Sequence, residues 1–261
     1  TMEFLLNNPK WWDDDELPGG GSGSEPGGGT GPVDVVEEAT AEQVQQGTIQ
    51  VDGVLSEAAW SLDYELKKTI IGSPNNEVKF GVLWDEDYLY VGVHVKDEQV
   101  VNDGSQSKHE DDSVEIYLDG NHDKATVYNS MYDKQLIIRV NDNTLFASSS
   151  TPNVNFAQQL TNDGYTVEVA IPWASFGVTN PQAGLVIGFD VGNNDDDNGG
   201  NRDSQLMWSG NNDNWQSTKM FGNLTLVSNL PEEPEEPEEP EQPEEPAFTV
   251  GAVTLTDLAG S

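Results

Sequence analysis

The chain has 261 residues, with 47 Asp/Glu against 11 Lys/Arg, a formal net charge of −36 and no cysteine. Disulfide staples and thiolate metal sites are excluded, and polyanions such as nucleic acid or an anionic membrane surface would be repelled, whereas neutral polymers and divalent cations would not. No long apolar run and no signal peptide is seen. Starting at Thr1 and stopping within what reads as a new segment, the sequence is expected to be a piece of a longer protein whose targeting signal lies elsewhere.

Composition divides the chain into five stretches. Residues 1–18 carry Trp11 and Trp12 and read as the end of a preceding domain. A Gly/Ser-rich linker with an acidic lead-in follows over 19–46, the flexible kind by its composition. Residues 47–228 hold 27 Asp/Glu against 10 Lys/Arg, a net of −17, so slightly more than half of the negative charge lies in the flanks. The Pro-Glu repeat within 229–246 favours an extended polyproline II spacer. Phe248 to Leu258, within 247–261, alternates like the first strand of a following domain or tail.

In the central stretch strand signals follow one another closely and helix signals are scarce. A strand is expected at 48–52, then a helical turn or two from Ser56 to Leu62, then a strand at 66–71. Val78, Phe80, Val82 and Trp84 alternate inward, Asp85-Glu86-Asp87 turns, and Leu89, Val91, Val93 and Val95 return, which makes a hairpin. Further strands are expected at 113–118, 134–141, 144–148, 155–160, 165–171, 186–192, 205–208 and 222–227. About ten or more strands without repeating βαβ units predict an all-β, antiparallel β-sandwich of jelly-roll type.

His109 to Gly120 is the most informative stretch. Val114, Ile116 and Leu118 share one side of a pleat, and Ser113, Glu115, Tyr117 and Asp119 share the other. One face belongs in a core and the other offers hydrogen-bonding groups to a ligand.

Several segments in order resemble a family 9 carbohydrate-binding module: Val51-Asp52-Gly53 through Ala59-Trp60, the hairpin Val82 to Val91, and Glu110-Asp111-Asp112-Ser113-Val114-Glu115-Ile116-Tyr117. Gly164 to Trp173, Ile187 to Val191, Asn194 to Asp197 and Phe221-Gly222-Asn223-Leu224 continue the match to the end of the domain. The resemblance implies a calcium-containing β-sandwich attached to a secreted, multimodular plant-cell-wall hydrolase, often a xylanase. It further implies a polysaccharide or oligosaccharide ligand, a catalytic module in the same chain, and a monomeric, extracellular protein.

A sugar offers C–H groups on its faces and hydroxyls on its rim, so a site needs an aromatic plate and polar side chains around it. Asn211 to Gln216 supplies both kinds. Trp215 matches one of the family's two sandwiching tryptophans, and Asn212 matches a polar ligand. The family's second tryptophan is replaced by His109, either a smaller stacking plate or a solvated loop residue, and Gly192 stands where a glutamine ligand is usual. Glu115 keeps its place. Gln135 and Arg139 share a face of the strand 134–141, although aligning on Gln135 puts Ile137 in the place of the family's arginine. Trp84, Trp173 and Trp208 lie in or beside apolar strands and belong to the core.

The loop 193–203 crowds Asp195, Asp196, Asp197 and Asp203 among amides and glycines. Calcium takes six to eight oxygens in flexible geometry, which such a loop would supply, with a solvated acidic turn as the alternative. Asn194, Asp196, Asn198 and Gly199 mimic the start of an EF-hand loop, but Gln205 replaces its closing Glu. Asp97, Asp103, Asp111 and Asp112 offer a second cation site.

The domain itself is expected to be non-catalytic, tethering a hydrolase to its substrate. Two other readings remain: a glycoside hydrolase using Glu115 and Glu168 as paired carboxylates, and a calcium-stiffened spacer without sugar affinity.

Overall fold

The computed structural model describes residues 35–230 and Gly251. The stretches 1–18 and 231–246, and most of the tail after 246, lie outside the described residues. Five strands open the domain: β1 (Glu38–Gln43), β2 (Tyr64–Glu65), β3 (Lys68–Ile71), β4 (Glu77–Trp84) and β5 (Tyr88–Lys96). Four follow: β6 (Ser113–Asp119), β7 (Asp133–Arg139), β8 (Phe146–Ala147) and β9 (Asn155–Leu160). The last four are β10 (Gly164–Pro172), β11 (Val186–Asp195), β12 (Ser204–Met207) and β13 (Gly222–Val227). Only two short 3₁₀ turns, Lys108–Glu110 and Trp173–Phe176, interrupt this all-β pattern among the described residues.

The strands join into one sheet ordered β8-β7-β6-β11-β13-β1-β4-β5-β10-β9, with β12 and β3 added beside β11 and β2 beside β4. The sheet curls on itself. Phe80 of β4 and Phe189 of β11 stand three strands apart in that order, yet their ring centroids are 5.9 Å apart, and Trp208 meets both. The alternating apolar residues of β4, β5, β6, β7, β10, β11 and β13 fill the interior, and Trp84, Trp173 and Trp208 are buried there as expected.

The hairpin pairs Glu77 with Lys96 at its open end and Trp84 with Leu89 at the turn. The Asp85 carboxylate accepts hydrogen bonds from the Asp87 and Tyr88 amides, both at 2.8 Å, and from the Tyr90 hydroxyl at 2.8 Å, which holds the turn closed.

Three expectations fail for identifiable reasons. Residues 48–52 form no strand, and Ser56–Leu62 makes only a turn, with the Trp60 amide donating to the Glu57 carbonyl. Glu168 pins that whole segment: its carboxylate accepts the Asp52 and Gly53 amides at 2.9 and 3.1 Å and the Trp60 indole N–H at 3.2 Å. The third failure is β1, which lies inside the stretch read as an acidic lead-in. Its Ala39 and Ala41 are too small to announce a strand, yet both are buried, and β1 runs parallel to β13 on one side and β4 on the other. The sheet is therefore mixed where purely antiparallel pairing was expected.

Candidate functional site

Strand β6 lies between β7 and β11 and sends Val114, Ile116 and Leu118 into the core. Period-two alternation turns Glu115 and Tyr117 the other way, into a cleft of about 260 Å³. Both are buried, and their polar atoms form one network. The Tyr117 hydroxyl donates to the Glu115 carboxylate, Asn194 Nδ2 donates to Glu115 Oε1 at 2.8 Å, and Gln135 Nε2 reaches Glu115 at 3.4 Å and the Tyr117 hydroxyl at 3.3 Å. The cleft floor is thus pre-ordered and polar.

Trp215 lines the same cleft and stays 58 % exposed, which a core residue of its size would not. Its loop is held from beneath by Asp190, whose buried carboxylate accepts the amides of Val191, Ser209 and Gly210 and the Asn214 side-chain N–H at 2.7 Å. Burial pushes Asp190 up to about 6 against those four donors. Asn214 Oδ1 in turn accepts the Asn211 amide at 2.9 Å, and the Tyr128 hydroxyl donates to the Asn214 carbonyl. An exposed aromatic on a loop clamped this way is open to the cleft rather than spent on packing.

Asn212 and His109 also line the cleft, so five of the six residues singled out for sugar contact come together: Trp215, Asn212, Glu115, His109 and Gln135. His109 sits on a 3₁₀ turn, with Nε2 3.1 Å from Glu110. The sixth, Arg139, turns away. Its guanidinium bonds Asp111 at 2.7 Å, Asp142 at 2.8 Å and the Ser105 carbonyl at 2.8 Å. Ile137 pairs with Glu115 at the level where an arginine would be useful. The cation in the cleft is Arg202, from the acidic loop, where surrounding aspartates drew attention to metal instead. Gln205 and Met207, alternating on β12, were also missed, whereas Tyr117, on the expected polar face of β6, and Asn211 and Asn214, within the segment 211–216, line the cleft too.

The four aspartates expected to share one ion are divided by the strand geometry. Asp195 and Asp197 group with Asp97, while Asp196 groups with Asp103 and Asp111, in each case with carboxylate oxygens within 4.8 Å of one another. Asp203 belongs to neither group; it accepts the Asp197 amide at 3.0 Å and the Asn198 side-chain N–H at 2.6 Å, tying the loop together. A third group, Asp119, Asp123 and Asp133, gave no sequence signal because its members come from a strand, a turn and the next strand.

The donor sets suit a hard cation. All three groups hold buried carboxylate oxygens without hydrogen-bond partners: on Asp97 and Asp197, on Asp111 and Asp196, and on Asp133. Burial raises Asp97, and it pushes Asp195 and Asp133 up to about 6 and neighbouring Asp112 up to about 8. Nearby positive charge would relieve that cost.

Glu115 and Glu168 do not form a carboxylate pair, since Glu168 is spent on the segment around Asp52 and does not line the cleft with Glu115.

A curled all-β domain with an exposed tryptophan over an amide-and-carboxylate floor is the layout of a sugar-binding module. The family model described as "Carbohydrate family 9 binding domain-like" matches residues 48–229. The chain belongs to that family and is a non-catalytic carbohydrate-binding module. It is 36 % identical over 185 residues to the exoglucanase XynX of Acetivibrio thermocellus, covering 69 % of this chain and 16 % of that protein. It is 32 % identical over 228 residues to endo-1,4-beta-xylanase A of Thermotoga maritima, covering 85 % and 21 %. The chain therefore spans less than a quarter of the length of these relatives. A family 9 module from Caldicellulosiruptor kristjanssonii, solved with cellotriose, superposes with a TM-score of 0.66 at 25 % identity, covering 76 % of this chain and all of that one. A family 9 module from the same organism, solved with glucose, also gives 0.66, at 25 % identity, covering 74 % of this chain and 97 % of that one.

Proposed function

We propose that the cleft built on β6 binds a sugar of plant cell-wall polysaccharide, xylan or cellulose, and so holds a linked glycoside hydrolase on its substrate. The observation that carries this reading is the exposed Trp215 standing over the buried Glu115–Tyr117–Gln135 network. The tryptophan would cover a pyranose face while Asn212, Gln135 and Glu115 take its hydroxyls and His109 closes the far wall. Tethering raises the effective concentration of a neighbouring active site at the polymer surface. The xylanase relatives support a catalytic module in the same extracellular chain, and the Gly/Ser and Pro-Glu stretches have linker composition. The curl that brings Phe80 and Phe189 together supports reading the module as a sandwich that would act as a monomer.

Calcium, held by Asp195 and Asp197 with Asp97 and by Asp196 with Asp103 and Asp111, would neutralise buried negative charge. Calorimetry against cellotriose, xylotriose and soluble xylan, with a hydrolysis assay on the same samples, tests the whole reading. Binding without turnover is expected. Turnover would restore the hydrolase reading, and absence of both would leave a spacer.

A further inference from the structure

The geometry points to Arg202 as the cleft's cationic sugar contact, set in place by the acidic loop, so that glycan affinity rises when a divalent cation occupies that loop. This inference rests on the glycan-binding reading of the cleft.

Arg202 is unlike Arg139. Arg139 is held by two carboxylates, whereas Arg202 lines the cleft with no carboxylate within ion-pair distance among the described residues. One of its five N–H donors goes to Asn194 Oδ1 at 2.6 Å, which leaves donors for adjacent sugar hydroxyls. Asn194 passes the contact on, since its Nδ2 donates to Glu115 Oε1 at 2.8 Å and to Ser113 Oγ at 2.9 Å. The guanidinium is thereby tied to the polar floor.

The loop bearing Arg202 depends on carboxylates at its start and middle. Asp195 and Asp197 approach Asp97, Asp196 approaches Asp103 and Asp111, and the Gly200 amide donates to Asp103 at 2.9 Å. Buried oxygens without partners remain on Asp97, Asp111, Asp196 and Asp197, and Asp111 and Asp196 are wholly buried. Like charges so close repel, which loosens the loop; a cation between them draws it tight and fixes Arg202 at the cleft. Linkage is reciprocal, so bound sugar would tighten the cation equally.

The test is calorimetry of cellotriose with the full chain in millimolar calcium and after EDTA dialysis, for the native protein, Arg202→Ala and Arg202→Lys, with circular dichroism to verify folding. The expected result is about tenfold weaker sugar binding without calcium, within the usual range of such couplings. Arg202→Ala in calcium should fall by a similar factor and lose its response to EDTA, while Arg202→Lys keeps part of both. If EDTA unfolds the chain, the calcium-loaded comparison decides alone: undiminished affinity in Arg202→Ala overturns the inference. Equal affinity in calcium and EDTA, or a persisting calcium response in Arg202→Ala, overturns it while leaving the glycan site intact. Failure of the native protein to bind any glycan in calcium removes both.

Discussion

Gly192 and Met207 face each other across the β11–β12 pair, and a Cβ on the glycine would lie 2.8 Å from Met207 Sδ. The thioether thus fills the space where a glutamine side chain at 192 would need to pass. Gly192→Gln alone should displace the flexible end of Met207 and lower stability by about 1 kcal/mol, the low end of overpacking costs. Pairing it with Met207→Ala should recover most of that loss and add a polar group to the cleft. Urea melts of the two variants check this; equal stability of the single variant and the parent would mean that the β12 wall yields freely.

Trp215→Ala should remove most glycan affinity, a loss of about 1 to 3 kcal/mol on the scale of an aromatic withdrawn from a pocket. Because the side chain is exposed, the melting temperature should scarcely move. Calorimetry and a thermal melt on one sample separate the two effects, and unchanged binding in a folded variant would show that the platform lies elsewhere.

His109→Trp should tighten binding to short oligosaccharides, since His109 already lines the cleft with Trp215 and a larger ring adds stacking area. The gain is expected to be about 0.5 to 1.5 kcal/mol, the range for aromatic contacts beyond simple burial. A flat or weaker isotherm from a folded variant would show that the two positions do not share a ligand.

The alternation of β4, β5, β6, β10 and β11 was legible because each strand repeats every second residue against one core. Local pattern cannot show which strands lie side by side, so the parallel placement of β1 between β13 and β4 was invisible in Glu38 to Gln43. The same limit explains the site. Trp215, Asn212, Glu115, His109 and Gln135 carry their chemistry in their residue types, and five of the six expected contacts converge. Arg139 and Arg202 carry the same chemistry, and only the tertiary position of Asp111 and Asp142 decides that Arg139 is taken by ion pairs. The aspartates of 195–203 likewise read as one cluster in sequence, but 195 and 197 alternate with 196 to opposite sides, so these three divide between partners at 97 and at 103 and 111 while Asp203 joins neither.

Calcium should stabilise the domain and EDTA should destabilise it, because buried oxygens in all three aspartate groups lack partners. A ligand confined to the native state adds about 2.7 kcal/mol when its free concentration is ~100-fold above Kd, or several degrees of melting temperature. Magnesium should be less effective, since it demands stricter octahedral geometry. Asp133→Asn should reduce the calcium shift without altering sugar affinity, the third group being formed by residues that do not line the cleft. An equal response to sodium at matched ionic strength would reduce the effect to screening.

Asp190 makes opposite predictions for stability and for binding. Burial raises its carboxyl to about 6 in the fold, above the ordinary 3.8. The native state therefore takes up this proton at higher pH than the unfolded chain. The group's contribution to stability is full below about 4 and is lost as pH rises through about 6. Binding should follow the reverse course. The ionised carboxylate accepts four N–H donors, three of which, from Ser209, Gly210 and Asn214, hold the loop of Asn212 and Trp215, and a proton on it displaces at least one of the four. Cellotriose affinity should weaken between pH 7.5 and 5 by about 0.5 to 1.5 kcal/mol, the worth of one hydrogen bond. Asp190→Asn cannot titrate and presents N–H toward donors, so it should bind weakly at both pH values and show no inflection near 6. Calorimetry at the two pH values on both proteins, with calcium held saturating, makes the comparison. The same pH response in the Asn variant would assign the effect to another cleft group, and a flat profile in the native protein would mean that the loop survives protonation of its anchor.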